Sequence, residues 1–251
     1  MIIKDRINMV DIKKMIFSLQ NKRKVFHSED DLKLSFGLEI MENNSNCQVR
    51  LERPVNLKML DWNNTELIAR APIDVVIIEK NGNQIPIELK YKTKKTQLNS
   101  DNEMYELTEH NAVDIGRYSF RKDIYRIEQY LASHVNSECG YVLILTNEKA
   151  YCEKDVSQKE NYDKFFTFHN NVMIKKIDKG WNYSKIDKNK YEKVPGDNRW
   201  YSKDKKKSHW TCKKELFYRF DLRNDYKIKW IDYSLFLETN FKYCLIKIEK
   251  E

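Results

Sequence analysis

In the stretch PIDVVIIEKNGNQIPIELKYKT, Pro72 to Thr93, three charged residues stand inside runs that otherwise want a core: Asp74, Glu88 and Lys90. Strand side chains alternate between faces. Glu88 and Lys90 therefore share one face of the second run, and Asp74 shares a face with Val76 and Ile78 in the first. Asn81-Gly82 between the runs signals a hairpin, and the length of its turn decides whether the charges meet. A two-residue turn would set Asp74 opposite Leu89. A three-residue connection, Asn81-Gly82-Asn83, pairs Lys80 with Gln84, Val76 with Glu88 and Asp74 with Lys90, and brings the charges to one face. The odd-length connection, or a compensating bulge, is the one expected.

Two carboxylates held close repel, and one stays protonated unless a cation sits between them. A hard divalent ion such as Mg2+, with Mn2+ able to substitute, prefers oxygen ligands and often takes one or two carboxylates plus substrate phosphate. A lysine alongside can orient or deprotonate a water, or hold the phosphate charge. The set suits metal-assisted hydrolysis of a phosphodiester. For the tripeptide Glu88-Leu89-Lys90 alone, a cross-strand ion pair with Asp74 is the plainer explanation.

The elements that must position these residues start upstream. The N-terminal 24 residues read as a short amphipathic helix docked on the body, and Ser28 with Asp31 three residues on resembles a capping box that opens a second helix. Leu32, Phe36 and Ile40 define its buried stripe. Glu39 falls in the middle of that stripe, where a carboxylate is costly unless paired, and is expected to assist the charged hairpin. Glu29 lies near the same face, but in the first turn, where the helix dipole and water explain it. A short strand is expected around Gln48 to Glu52, a loop over RPVNLKMLDWNNTE, then the two strands of the charged hairpin. A polar stretch from Lys94 to Ala112 follows, long for a structureless connection. A helix from about Asp114 to Ser133 carries Phe120, Ile124, Ile127 and Leu131 as its apolar stripe, and YVLILT is a wholly apolar, buried strand. The order is αβββαβ. After Asn147, YDKFFTFH, NVMIKKI, YKIKWIDYS and FKYCLIKIEK read as strands, and the segment from Val194 to Glu215 as a basic, aromatic loop or lid.

Asp74 in PID, Glu88 and Lys90 in ELK, and the αβββαβ order together resemble the PD-(D/E)XK nuclease superfamily. The resemblance covers about residues 26–147. It implies a restriction-endonuclease-like α/β core with a mixed sheet, followed by a β-rich basic extension. It further implies Asp74, Glu88 and the Leu89 carbonyl as ligands to Mg2+, Lys90 as the catalytic lysine, and Glu39 as the first-helix glutamate, with Glu29 as its competitor. The isoleucine between Pro72 and Asp74 departs from the literal motif. The segment IELKYKT…HNAVDIGRYSFRKDIYRIE is also similar to a group of bacterial proteins of that superfamily in which DIGRY leads into the second core helix. Asp114 and Arg117 are further site candidates on that ground.

The charge pattern points to a polyanion. The formal net charge is +8, and residues 1–150 balance 22 basic against 22 acidic residues, so the excess lies in 151–251. A basic surface favours nucleic acid. Arg121, Lys122 and Arg126, interleaved with Tyr118 and Tyr125, form one candidate contact face, and Lys205, Lys206 and Lys207, flanked by Trp200 and Trp210, form another. The organisation expected is a nuclease core over 1–150 and a basic extension over 151–251 packed on it. No apolar run reaches the length of a membrane span, and five scattered cysteines without a C-x-x-C pair suit a reducing compartment, so the cytoplasm is the expected location. DNA is the favoured substrate. A homodimer is reasonable because two-strand cutting often needs two active sites. The rivals are a non-cleaving nucleic-acid-binding module on the same fold, and a structural protein whose charges only form ion pairs.

Overall fold

YVLILT is apolar on both faces, so it must be covered from both sides, and it is. The computed structural model describes residues 10–110, 112–154, 161–237 and 239–250. Two helices come first, α1 (Ile12–Lys22) and α2 (Glu29–Asn43). The strands β1 (Cys47–Asp61), β2 (Glu66–Glu79) and β3 (Gln84–Lys92) follow, then a hairpin of β4 (Thr96–Ser100) and β5 (Glu103–Leu107). Next are α3 (Val113–Ser133), β6 (Cys139–Thr146) and a single turn, α4 (Lys149–Cys152). The rest holds the short strands β7 (Met173–Ile174), β8 (Tyr191–Lys193), β9 (Trp200–Ser202), β10 (Tyr218–Arg219) and β11 (Tyr226–Lys227), then β12 (Trp230–Leu235) and β13 (Asn240–Glu249).

The protein is mixed α/β. A seven-stranded sheet runs in the order β10-β1-β2-β3-β6-β13-β12. Within it only β3 and β6 are parallel, because α3 carries the chain across between them. Ser28 caps α2 as its sequence suggests, accepting from the Asp31 amide at 3.1 Å. Leu32, Phe36 and Ile40 are buried, and with α1 they cover one sheet face built from Val75, Ile77, Ile87 and Leu89. Phe120, Ile124, Ile127 and Leu131 of α3 cover the other face, against Val142, Ile144, Ile246 and Ile248. Every residue of β6 is buried between these layers. Among the described residues, no helix is long and apolar enough to cross a membrane.

Three expectations need correction. The stretch from Arg53 is not a loop: β1 continues to Asp61, paired with β2 as far as Leu60 opposite Glu66. Val55, Leu57 and Met59 alternate with exposed Asn56 and Lys58, but Pro54 and the asparagines hide that period. Pro54 lies opposite Pro72, so neither proline asks a partner for an N–H bond. The Lys94–Ala112 stretch contains the β4–β5 hairpin, whose Tyr105 and Leu107 are buried in the core. In the second half, YDKFFTFH is turns rather than strand, and NVMIKKI contributes only two strand residues.

Residues 151–251 supply strands to both ends of the same sheet. β13 pairs with the whole of β6, while β10 caps the opposite edge on β1. The basic segment folds as the β8–β9 hairpin and is pinned to the β1–β2 turn, where Asn198 Nδ2 donates to the Trp62 carbonyl at 2.6 Å. Its tryptophans meet the protein body: Trp210 packs on Trp181 at 5.2 Å, and Trp200 lies 6.0 Å from Tyr183.

Candidate active site

The β2–β3 ladder runs from Ile78 opposite Gln84 to Val75 opposite Ile87. The turn is Lys80-Asn81-Gly82, closed by the Glu79 amide donating to the Asn83 carbonyl at 2.9 Å. It is three residues long, but one residue earlier than expected. The register therefore shifts by two, preserves face parity, and points Asp74 toward Glu88 rather than Lys90. Past Val75 and Ile87 the strands part. The Leu89 amide that the ladder leaves there donates instead to Asp74 Oδ2 at 2.8 Å.

Charged side chains from both helical layers fill this notch. Lys33 of α2 stands 3.3 Å from Asp74 Oδ1 and also bonds Glu52. Glu52, between the paired residues Leu51 and Arg53, has φ +52, a left-handed conformation costly for a side-chain-bearing residue. Lys90 Nζ donates to the Leu89 carbonyl at 2.8 Å and lies 3.6 Å from Glu29, 3.6 Å from Asp123 and 3.8 Å from Asp74. Glu29 also accepts from the Tyr91 amide at 2.9 Å. Glu88 is fully buried and takes a 3.1 Å hydrogen bond from Arg126 Nη1, while Arg126 Nη2 donates to the Pro72 carbonyl. Glu88 Oε1 and both oxygens of buried Asp123 accept no hydrogen bond. Five carboxylates, of Glu29, Glu52, Asp74, Glu88 and Asp123, thus face three cations, Lys33, Lys90 and Arg126.

That excess shows in the titration behaviour. Burial, reinforced by the Asp123 and Asp74 carboxylates, drives Glu88 well above the usual carboxylate range despite Arg126 and Lys90. For Asp74, burial pushes upward too. Lys90, hydrogen bonding with Glu88 and the Leu89 amide, and Lys33 outweigh it and hold Asp74 below its ordinary value. Burial disfavours a charged Lys90, yet Asp123, Glu29, Asp74 and Glu88 more than compensate and raise its pKa, so it stays an ammonium.

These shifts give a pH dependence. Below about pH 4.3 Glu88 is protonated in folded and unfolded chains alike. As pH rises, the unfolded chain loses that proton first, and the native state falls in relative stability by up to about 1.4 kcal/mol per pH unit until the folded group titrates. Asp74 acts oppositely, supporting the fold above its unfolded pKa and losing that support in acid. Glu88→Gln removes the first contribution and keeps an amide donor for the hydrogen bond that helps lower Asp74. Its urea midpoint is expected to match wild type in acid and exceed it increasingly toward neutral pH.

The structure brings together Asp74, Glu88, Lys90 and Glu29, but not Glu39. Glu39 sits ten residues further along α2, paired with Lys22 of α1 at 2.7 Å and with Asn43 at 2.7 Å. Its burial has a structural explanation, and the helix glutamate at the notch is Glu29. Two arginines assigned to nucleic acid are interior. Arg121 is 3 % exposed and donates to the carbonyls of Phe220, Lys175 and Lys176, each at 2.9 Å. Arg126 belongs to the notch. Arg117 pairs with Asp163 at 2.5 Å and bonds the Ala150 carbonyl. With half-buried Asp114 it lines a cavity of about 570 Å³ that shares no residue with the notch. Lys154 and Asn161 of that cavity flank residues 155–160, which lie outside the described chain. Lys122 is half-buried, and Lys205, Lys206 and Lys207 are exposed on a turn after β9. Asp123, Lys33 and Arg126 are the notch residues the sequence reading missed or misplaced. Asp123 had a signal, since it lies on the same stripe as Phe120, Ile124 and Ile127.

Among the described residues, no three His, Cys, Asp or Glu side chains gather closely enough to hold a metal ion. Each ligand that the resemblance assigns to Mg2+ is met by a side-chain cation: Asp74 by Lys33, Glu88 by Arg126, the Leu89 carbonyl by Lys90. The donors are hard oxygens, and three buried carboxylate oxygens accept no hydrogen bond, so the set fits a hard cation in donor type. Holding one requires these cations to draw back. Comparison with protein-family models, curated proteins and solved structures found no match.

Proposed function

We propose that the protein is a Mg2+-dependent nuclease that hydrolyses phosphodiester bonds, with DNA the favoured substrate, on a restriction-endonuclease-like core of α2, β1, β2, β3, α3 and β6. The observation that carries this reading is the meeting of Asp74, Glu88 and Lys90 where β2 and β3 part. The strand order β1-β2-β3-β6, with β6 parallel to β3, supports it. Asp74 and Glu88 would hold the ion, with Asp123 beside them, and the ion would supply a Lewis acid and a water of lowered pKa. Lys90, a fixed ammonium, stabilises negative charge on the phosphoryl oxygens. Glu29 orients Lys90 from α2. A part in restriction or defence rests on family analogy alone.

Melting curves of wild type and Asp74→Asn with and without Mn2+, run beside cleavage of plasmid and of a labelled single strand, test the reading. Asparagine keeps an acceptor for the Leu89 amide, so the fold is expected to survive. At a hundredfold its dissociation constant the ion adds about 2.7 kcal/mol to wild type. That gain and cleavage are both expected to vanish in the variant. Wild type with neither response would overturn the proposal. The pairing of each carboxylate with a cation favours a second reading, a non-cleaving nucleic-acid-binding protein, for which binding without cleavage in Mg2+ or Mn2+ is the signature.

A further inference from the structure

Before Pro72 the β1–β2 hairpin projects beyond β3 as an arm, because β3 pairs with β2 only from Val75 to Ile78. The inner face of the arm sets Leu57 opposite Ala69 and Met59 opposite Leu67. Tyr125 of α3 ties the arm in place, its hydroxyl donating to the Lys58 carbonyl at 2.7 Å. Between arm and helix lies a groove of about 330 Å³. It is lined by the apolar face of the arm and Tyr218, and by the cationic residues Lys122, Lys214 and Arg126. Glu215 lines it too and offsets one of these charges.

We propose that this groove receives one unstacked nucleotide of a single strand, which makes single-stranded or locally unpaired nucleic acid the substrate class. The inference rests on the nuclease reading and deepens it. The groove lies at the lower end of the roughly 300–1,000 Å³ typical of small-ligand pockets, room for a nucleotide and not for a duplex. Aliphatic and aromatic side chains suit the face of a base, and they are reached only by a base freed from its stack. The half-buried Ala69 and Ala71 open the depth that a larger side chain would fill. Lys122 and Lys214 meet the flanking phosphates. Arg126 joins the groove to the notch, since the residue lines the groove while its guanidinium touches Glu88 and Asp123. A phosphate beside the seated base therefore lies next to the carboxylates.

The test is equilibrium binding of a single-stranded oligonucleotide containing 2-aminopurine, read by anisotropy and base fluorescence, to wild type and Ala69→Phe. Wild type is expected to prefer the single strand to the matching duplex, and Ala69→Phe to weaken single-strand binding at least tenfold with an unchanged melting curve. Because the variant could misfold, wild type is also photocrosslinked to a 5-iodouracil strand. Adducts are expected on Met59 or Tyr218. Equal binding by a folded Ala69→Phe, or adducts confined to the Lys205–Lys207 turn, would overturn the groove while leaving the nuclease reading intact. Groove-dependent binding without Asp74-dependent cleavage would do the reverse.

Discussion

Replacing Lys90 by methionine is expected to slow phosphodiester hydrolysis by about 10²- to 10³-fold, the scale of losing one preorganised charge-stabilising group. Lys90 is walled in by Asp123, Glu29 and Asp74 within 3.8 Å, and burial alone would favour its neutral form. The carboxylates win, so the group carries a proton through the neutral range and acts as a charge rather than as a base. The basic limb of the pH–rate profile should therefore not belong to Lys90. Single-turnover cleavage at saturating Mn2+, below the melting temperature of the variant, measures the effect. A rate within threefold of wild type would remove Lys90 from the chemistry.

The second large effect is on stability. Arg126→Met is expected to cost about 3–5 kcal/mol, the usual penalty for stripping one partner from a buried ionic group. It takes from the Pro72 carbonyl and from Glu88 the guanidinium that donates to them, and leaves Asp123 with Lys90 as its remaining close cation. Adding Asp123→Asn removes the stranded charge, so the double variant should be more stable than the two single losses predict, by about 1–3 kcal/mol. Urea denaturation of the four proteins in that cycle measures it. Strict additivity would mean that the guanidinium and Asp123 do not interact energetically.

What could be read beforehand was local and periodic. Face parity brings Asp74, Glu88 and Lys90 to one face for any odd-length turn, so they converge although the turn lies one residue earlier than expected. The helix that carries Glu29 and Glu39 is legible from its stripe, and the stripe favours Glu39, whose burial looks costly, over Glu29, which the first-turn dipole explains; a helical wheel does not say which end of the helix meets the ends of the strands. Arg121 and Arg126 lie opposite the apolar stripe of α3 and so looked solvent-facing. The carbonyls of Lys175, Lys176 and Phe220 take up Arg121, and Glu88 with the Pro72 carbonyl takes up Arg126; nothing local to α3 announces partners so distant in sequence. The outer half of β1 was missed because Pro54 and three asparagines resemble loop chemistry, while its period of two has only three clear teeth, Val55, Leu57 and Met59.

The pairing of β13 along the whole of β6 bears on the birth of the protein. The parallel β3–β6 pair that anchors the notch uses residues no later than 146, whereas the other edge of β6 has no partner until residues 240–249 emerge. A wholly apolar strand with an open edge is a template for sticking to other chains. The nascent polypeptide thus passes through an interval in which its most aggregation-prone strand waits for its neighbour, and a shortened version ending before Asn240 would remain there. Synthesis of an intact charged notch is in this way tied to translation through residue 249, far downstream of any residue that lines it.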